Sequence, residues 1–229
     1  MPTLSSPEHL RFAVLAADTA LFTLHDGTLL VRLITVHRPP YFSNSLGLPG
    51  GLLEPTETAE AAAHRHLTTK TGVSSGQIYL EQLYTFSAVD RDPRGRVVAV
   101  TYLALVPWEA LLETEREPYS SSYWAPVEGL TGLAYDHDEV LKTAVLRLRD
   151  RSSYTTLLQK LLPQSFTLSE LENAYRAVVN QPVDRRNFRK KILKLGILTE
   201  LDSKRTGMRS RPAALFRFSS PDIVAIDPL

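Results

Sequence analysis

The chain has 229 residues, 43% hydrophobic and 22% charged, a balance that supports a sizeable core and excludes a chain dominated by disorder. With no cysteine it has neither a disulfide framework nor a thiolate metal site, which fits a reducing cytoplasm. No apolar run reaches the roughly 18 residues a membrane span needs, and "MPTLSSPEHL" lacks the basic-then-apolar layout of a secretory signal.

In chain order, "RFAVLAADTALFTL" and "TLLVRLITVHR" read as strands joined by the turn "HDG". After the loop "PPYFSNSLGLPGG" a helix is expected from Glu57 to Thr71, with Thr56 as N-cap and Gly72 at the left-handed C-cap position. Strands follow at "IYLEQLYTFSAV", "VVAVTYLALV" and "YWAPV", with the charged turn "DRDPRGR" between the first two. "DEVLKTAVLRLR" spaces Val140, Leu141, Ala144, Val145 and Leu148 by threes and fours, an amphipathic helix over 138–149 that closes a first domain, and "DRSSY" reads as the joint.

Beyond the joint the chain changes character. "YTTLLQKLL" predicts a short helix stopped by Pro163, "TLSELENAYRAVV" a second with the capping-box spacing of Thr167 and Glu170, and "PVDRRNFRKKILKLG" a third with Pro182 near its start and Gly196 at its end. "ILTELDSKRTGMRSRPAALFRFS" reads as strand, basic turn, strand. The net charge of +1 conceals a division: residues 151–229 hold 14 Lys/Arg against 7 Asp/Glu, whereas residues 1–150 hold 12 against 18. Opposite signs imply two modules with different partners.

On the third predicted helix Phe188, Ile192 and Leu195 form one apolar stripe, and the remaining positions are almost all cationic. Helix order and the basic hairpin spell a winged helix-turn-helix over 153–229. The candidate DNA-binding residues are Arg185, Arg186, Asn187, Arg189, Lys190 and Lys194 on the helix and Lys204, Arg205, Arg209 and Arg211 on the wing. In a major groove Arg pairs with guanine and Asn with adenine, while flanking cations neutralise phosphates. The bland alternative is a solvated basic face.

"GGLLEPTETAEAAAHRHLTTKTGV" resembles the Nudix signature: Gly51, Glu57, Arg65, Leu67, Gly72 and Val73 stand at signature positions, preceded by "LPGG". The resemblance spans roughly residues 10–150 and implies an α/β/α sandwich over 1–152. Its helix departs at three positions, where His66, Thr69 and Lys70 replace glutamates. Those glutamates hold Mg²⁺ or Mn²⁺ in the hydrolases, and a threonine and a lysine offer hard cations little. Neither a catalytic residue nor a metal site is therefore expected, and His64 and His66, at i and i+2, point to different faces rather than pairing on zinc. Arg65 is expected to brace the loop by a salt bridge to Glu57 or Glu54; Lys70 is read either as a solvated helix-end cation favoured by the dipole or as an ammonium near the vacated metal position that helps neutralise a bound diphosphate.

A Nudix-like domain joined to a winged helix resembles the NrtR family of Nudix-related regulators, an α+β chain overall. "LPGGLLEP", "RDPRGRVVAVTYLAL", "FTLSELENAYRAV", "DRRNFRKKIL" and "RTGMRSRPAALFRF" look like that family's segments in its order. The resemblance implies a cytoplasmic homodimeric repressor of NAD-metabolism genes that binds operator DNA, uses no cofactor, and releases DNA when ADP-ribose or a related nucleotide-sugar binds. Arg38, Gly50, Gly51, Arg65, Lys70, Arg91 and Arg94 are the effector candidates, although Arg91 and Arg94 also suit an exposed hairpin turn. Two rivals remain: a working hydrolase of ADP-ribose-like diphosphates with an accessory basic domain, and a regulator of the same architecture responsive to sugars such as arabinose.

Overall fold

A computed structural model describes residues 12–74, 76, 78–207 and 210–229, with backbone alone at 206, 207, 210 and 211. The first domain is built on β1 (Val14–His25), β2 (Thr28–Arg38), β3 (Phe42–Gly47), β4 (Gly50–Leu52), β5 (Tyr79–Phe86), β6 (Val97–Leu105) and β7 (Ser122–Pro126). The main path runs β3-β2-β1-β6-β5, with β4 added to β1 and β7 to β2. Among the described residues only β1 and β6 pair in parallel, from Val14 opposite Val97 to Phe22 opposite Leu105; the other pairs are antiparallel.

Both faces of these two central strands are buried, which is why they read as nearly unbroken apolar runs. Ala17, Leu21, Tyr102 and Ala104 pack beneath α1 (Ala59–Thr71), whereas Ala20, Phe22, Leu103 and Leu105 pack beneath α3 (His137–Tyr154). On α1 the contact is made by fully buried Ala62 and Ala63, small enough to bring the helix close to the sheet. Arg32 of β2, wholly buried, donates to the carbonyl of Thr71 at 3.0 Å and to that of Glu117 at 3.2 Å, so its cation satisfies an open carbonyl at the C-terminus of α1. A short α2 (Glu113–Arg116) precedes β7.

The second domain comprises a 3-10 turn (Leu157–Lys160), α4 (Leu168–Val179), α5 (Arg185–Lys194) and the hairpin β8 (Leu198–Gly207) and β9 (Ser210–Phe218). Thr167 and Glu170 form the capping box expected at the start of α4. One apolar core runs from Phe22 and Leu103 through Leu141, Ala144 and Leu148 of α3 to Phe166, Tyr175, Phe188 and Phe216.

Several boundaries differ from expectation. The Nudix helix begins two residues later, at Ala59, because the Thr58 hydroxyl rather than Thr56 accepts from the Ala61 amide. The expected loop 39–51 contains β3 and runs into β4; Phe42–Gly47 carries no apolar alternation and pairs with β2 across a bulge at Val36 and His37. The expected joint is helical: α3 continues through Arg151, Ser152 and Ser153, since Arg151 ion-pairs with Glu81 of β5 and Ser152 is fully buried. The short helix expected over 154–162 is accordingly reduced to the 3-10 turn. The third helix starts at Arg185 under the Asp184 cap, beyond Pro182. Past the wing, the chain returns along this region, with Ile226 N–H donating to Tyr154 at 2.8 Å and Leu229 N–H to Ser153 at 2.7 Å.

Candidate functional site

Two sites emerge, a pocket at one end of α3 and a cationic helix beyond the other. The pocket, about 420 Å³, lies between β1, β2, β4, α1 and the first residue of α3. Gly50 sits so close to β1 that a Cβ there would lie 2.1 Å from Asp18 Oδ1 and 2.6 Å from the Ala17 carbonyl. At Gly51 a Cβ would meet the His66 ring at 2.7 Å. The "PGG" turn is thus demanded by close approach on both sides.

Asp18 and His137 are pocket residues that the sequence reading did not single out. Asp18 is buried on the α3 face of β1, where Arg91 donates to it at 3.2 Å and His137 Nε2 lies 3.7 Å away. The Leu48 N–H donates to His137 Nδ1 at 2.9 Å, which fixes the lone pair there and turns Nε2–H towards Asp18. Burial pushes the Asp18 carboxyl up, but His137 and Arg91 outweigh it and hold the group below its ordinary range. Arg91 also reaches Asp136, the N-cap residue of α3, with Nε at 2.8 Å and a terminal nitrogen at 2.6 Å. The clue available in the sequence was an aspartate inside the apolar run "VLAADTALF".

Six of the seven effector candidates line the pocket: Arg38, Gly50, Gly51, Lys70, Arg91 and Arg94. Arg65 does not. It braces the loop instead, with Nε 2.9 Å from Glu57 Oε2, a second ion pair to Glu57 and a donation to the Leu52 carbonyl at 3.1 Å. The Arg65 hydrogen bond, joined by the Glu54 amide, draws the Glu57 carboxyl down to about 2. Of the two arginines on the charged turn, Arg91 folds inward, its side chain 3% exposed, whereas Arg94 stands exposed at the edge of the pocket. Arg94 grips Asp92 and lies over the Tyr135 ring at 5.4 Å. Tyr135 itself holds φ at +57°, a conformation costly for a bulky side chain and typical of functional sites.

The pocket's formal charges are four cations, Arg38, Lys70, Arg91 and Arg94, against the carboxylates Asp18 and Asp92. Such a balance suits an anion. His66 is buried and donates from Nε2 to the Leu52 carbonyl at 3.0 Å, while His64 is exposed, so the two histidines do face apart. Among the described residues, no group of three or more His, Asp and Glu side chains could hold a metal. Where the Nudix signature requires metal-binding carboxylates, the Thr69 hydroxyl donates to the Arg65 carbonyl at 2.8 Å and the Lys70 ammonium donates to the Gly50 carbonyl. These residues do not fit a divalent cation.

On the second domain, Phe188 and Ile192 face the core and Leu195 is half-buried at the end of the stripe. Arg186, Asn187, Lys190, Lys191 and Lys194 are exposed on the outer face. Arg185 and Arg189 are drawn to the buried Glu172 of α4, at 2.8 and 3.1 Å, and Arg189 also reaches Ser169. Arg205 ion-pairs with Glu170, pinning β8 to the start of α4, and Lys204 is exposed. Arg209 and the side chain of Arg211 lie outside the described residues.

A mixed sheet between two helices, a glycine turn over a cationic pocket, and a winged helix on the same chain define a Nudix-fold protein with a DNA-binding type of domain. Residues 15–145 match the NUDIX domain family and residues 158–218 the NrtR DNA-binding winged helix domain. The chain belongs to the NrtR group of Nudix proteins. It is 35% identical over 214 residues to the ADPR responsive transcriptional repressor NtrR of Acinetobacter baylyi, covering 91% of this chain and 83% of that one. It also resembles Shewanella oneidensis NrtR crystallised with a 27mer DNA, at 32% identity and a TM-score of 0.77 over 90% of this chain and 93% of that one. The NUDIX domain of that Shewanella protein in complex with ADP ribose is 34% identical, with a TM-score of 0.53, covering 62% of this chain and 93% of that one. Among the described residues, no helix is long and apolar enough to cross a membrane.

Proposed function

We propose that the chain is a transcriptional repressor of NAD-metabolism genes, acting in the cytoplasm as a homodimer whose α5 helices enter successive major grooves of a palindromic operator. ADP-ribose or a related nucleotide-sugar enters the pocket and releases the DNA without being hydrolysed. The observation that carries this reading is α3, one unbroken helix whose first residue, His137, lines the cationic pocket and whose far end packs on the DNA-binding domain. The relatives named for ADP-ribose responsiveness and crystallised with DNA or ADP ribose support it.

Within the pocket Arg38, Lys70, Arg94 and the Gly50–Gly51 backbone contact the effector, while Arg91 and Arg65 brace its walls. At the DNA, Arg186, Asn187, Lys190 and Lys194 make contact, Lys204, Arg205, Arg209 and Arg211 belong to the wing, and Arg185 and Arg189 are steered by Glu172.

The test is a gel shift on the promoter of the chain's own operon, with and without ADP-ribose. A specific complex that ADP-ribose dissolves is expected; a protein that ignores the promoter at all concentrations refutes the reading. Thermal shift against ADP-ribose, NAD and pentoses identifies the effector, since a ligand of the folded state raises its stability. Turnover of ADP-ribose with Mg²⁺ or Mn²⁺ above about 0.1 s⁻¹, well below typical enzymes, would overturn the non-catalytic part.

A further inference from the structure

The cations of the pocket are not equivalent. Arg91 is bound to Asp18 and Asp136, and Arg94 to Asp92. Among the described residues neither Arg38 nor Lys70 has a carboxylate within ion-pairing distance, but Arg38 is exposed and donates to the His37 carbonyl, whereas Lys70 is half-buried, its ammonium reaching into the pocket from the last turn of α1 and donating to the Gly50 carbonyl. An ammonium has three N–H donors, so two remain for a ligand. The carbonyl tether fixes where those donors point.

Its surroundings strengthen that asymmetry. Burial is the largest influence on the Lys70 ammonium and lowers its pKa; Asp18 opposes this, while Arg38, Arg65 and Arg94 add to it. A half-buried cation short of a counter-charge gains most from an incoming anion. A divalent cation would meet the opposite environment. Beside Lys70 the Thr69 hydroxyl is committed to the helix backbone and Glu57 to Arg65, so a metal would meet a fixed positive charge and few free anionic oxygens.

We propose that Lys70 replaces the Nudix metal as a built-in cation, so that the diphosphate of the effector binds directly to its ammonium and without any divalent ion. This rests on the reading of the pocket as a nucleotide-sugar site and specifies how the diphosphate is neutralised there. A lysine that merely tethers β4 to α1 would leave the ligand's charge to the arginines.

Calorimetric titration of the full chain with ADP-ribose, in buffer with EDTA and in buffer with MgCl₂ or MnCl₂, separates the possibilities. Dissociation constants agreeing within about twofold are expected, because no metal takes part. Lys70→Met should weaken binding roughly ten- to a hundredfold in both buffers, the range for a hydrogen bond between charged groups, and Lys70→Arg should recover much of the loss. The unfolding midpoint of unliganded Lys70→Met, compared with the parent, checks that the fold is intact. Binding by the parent only when metal is present overturns the proposal, as does parental affinity in a folded Lys70→Met. Absence of binding by the parent in either buffer instead removes the effector reading, and this inference with it.

Discussion

The carboxylate of Glu172 on α4, 2% exposed, accepts a hydrogen bond from Arg185 Nε of α5 at 2.8 Å. Its other oxygen takes Arg189 at 3.1 Å, so one buried anion sets the angle of the cationic helix. Replacing Glu172 by Ala leaves both guanidinium groups without their partner and should cost about 1–3 kcal/mol, seen as a fall of several degrees in the thermal midpoint. Glu172→Gln, retaining hydrogen bonds without charge, should lose less. A midpoint unchanged in Glu172→Ala would show that the clamp adds nothing to stability.

The same geometry divides the cations of α5 by task. Arg186 and Lys190, one turn apart on the exposed face, should contribute to the salt dependence of operator binding, and replacing both with Ala should flatten the log–log slope by up to about 2. Arg189→Ala should change that slope by less than half as much while lowering stability. Filter binding across a series of salt concentrations gives the slopes, and equal effects from the two variants would refute the division.

Gly50→Ala should damage the pocket and the fold together. Its Cβ would fall 2.6 Å from the backbone oxygen of Ala17, so β4 must shift, at a cost of roughly 1–3 kcal/mol. Gly76→Ala, where a Cβ meets nothing within 4 Å and where, as at Gly50, φ lies outside the left-handed region, controls for the loss of a glycine without crowding. Denaturant unfolding of the two variants makes the comparison; equal losses would mean that crowding at Gly50 is unimportant.

Glu57 gives an acid-side signature. Its carboxyl is held at about 2 against an ordinary value of 4.5, so the contribution of its bond to Arg65 is complete above about 4.5 and disappears as pH falls towards 2. The Glu54 amide, which donates to Glu57 at 2.7 Å, should exchange faster across that window in the parent and show no such transition in Glu57→Gln. Matching profiles in the two proteins would disconnect the loop from this carboxylate.

Asp136→Asn should loosen the tie between Arg91 and the start of α3 while leaving Arg38 and Lys70 in place. ADP-ribose should bind with nearly parental affinity, yet its effect on operator affinity should shrink, and by reciprocity the operator's effect on ADP-ribose binding should shrink equally. Full release of DNA by ADP-ribose in this variant would exclude the Arg91–Asp136 contact from the coupling.

Local rules made much of this legible. β2 spans Thr28–Arg38 as its β-branched pattern suggests, and the Thr167–Glu170 box starts α4. The losses came where tertiary contacts decide. Phe42–Gly47 is a strand because β2 offers it an edge, against its own polar composition, and 150–154 is helical because Arg151 finds Glu81 across the sequence. Asp18 and His137 are 119 positions apart in the chain, and no spacing could have joined them. The signature residues were easier to find, since Gly51, Glu57 and Arg65 act within one loop and helix.

At about 1.5 Å per residue, the 18 residues of α3 make a rod roughly 27 Å long. A tilt of about 5° at the end where His137 meets the pocket would carry the other end sideways by roughly 2 Å, with no change inside the helix. In a two-fold pair the displacements are mirrored, so the separation of the two α5 helices could change by about 4 Å against half-sites fixed some 34 Å apart by the pitch of DNA. The absence of a break at residues 150–154 therefore gives a small angular change in the pocket the reach to alter the grip on an operator.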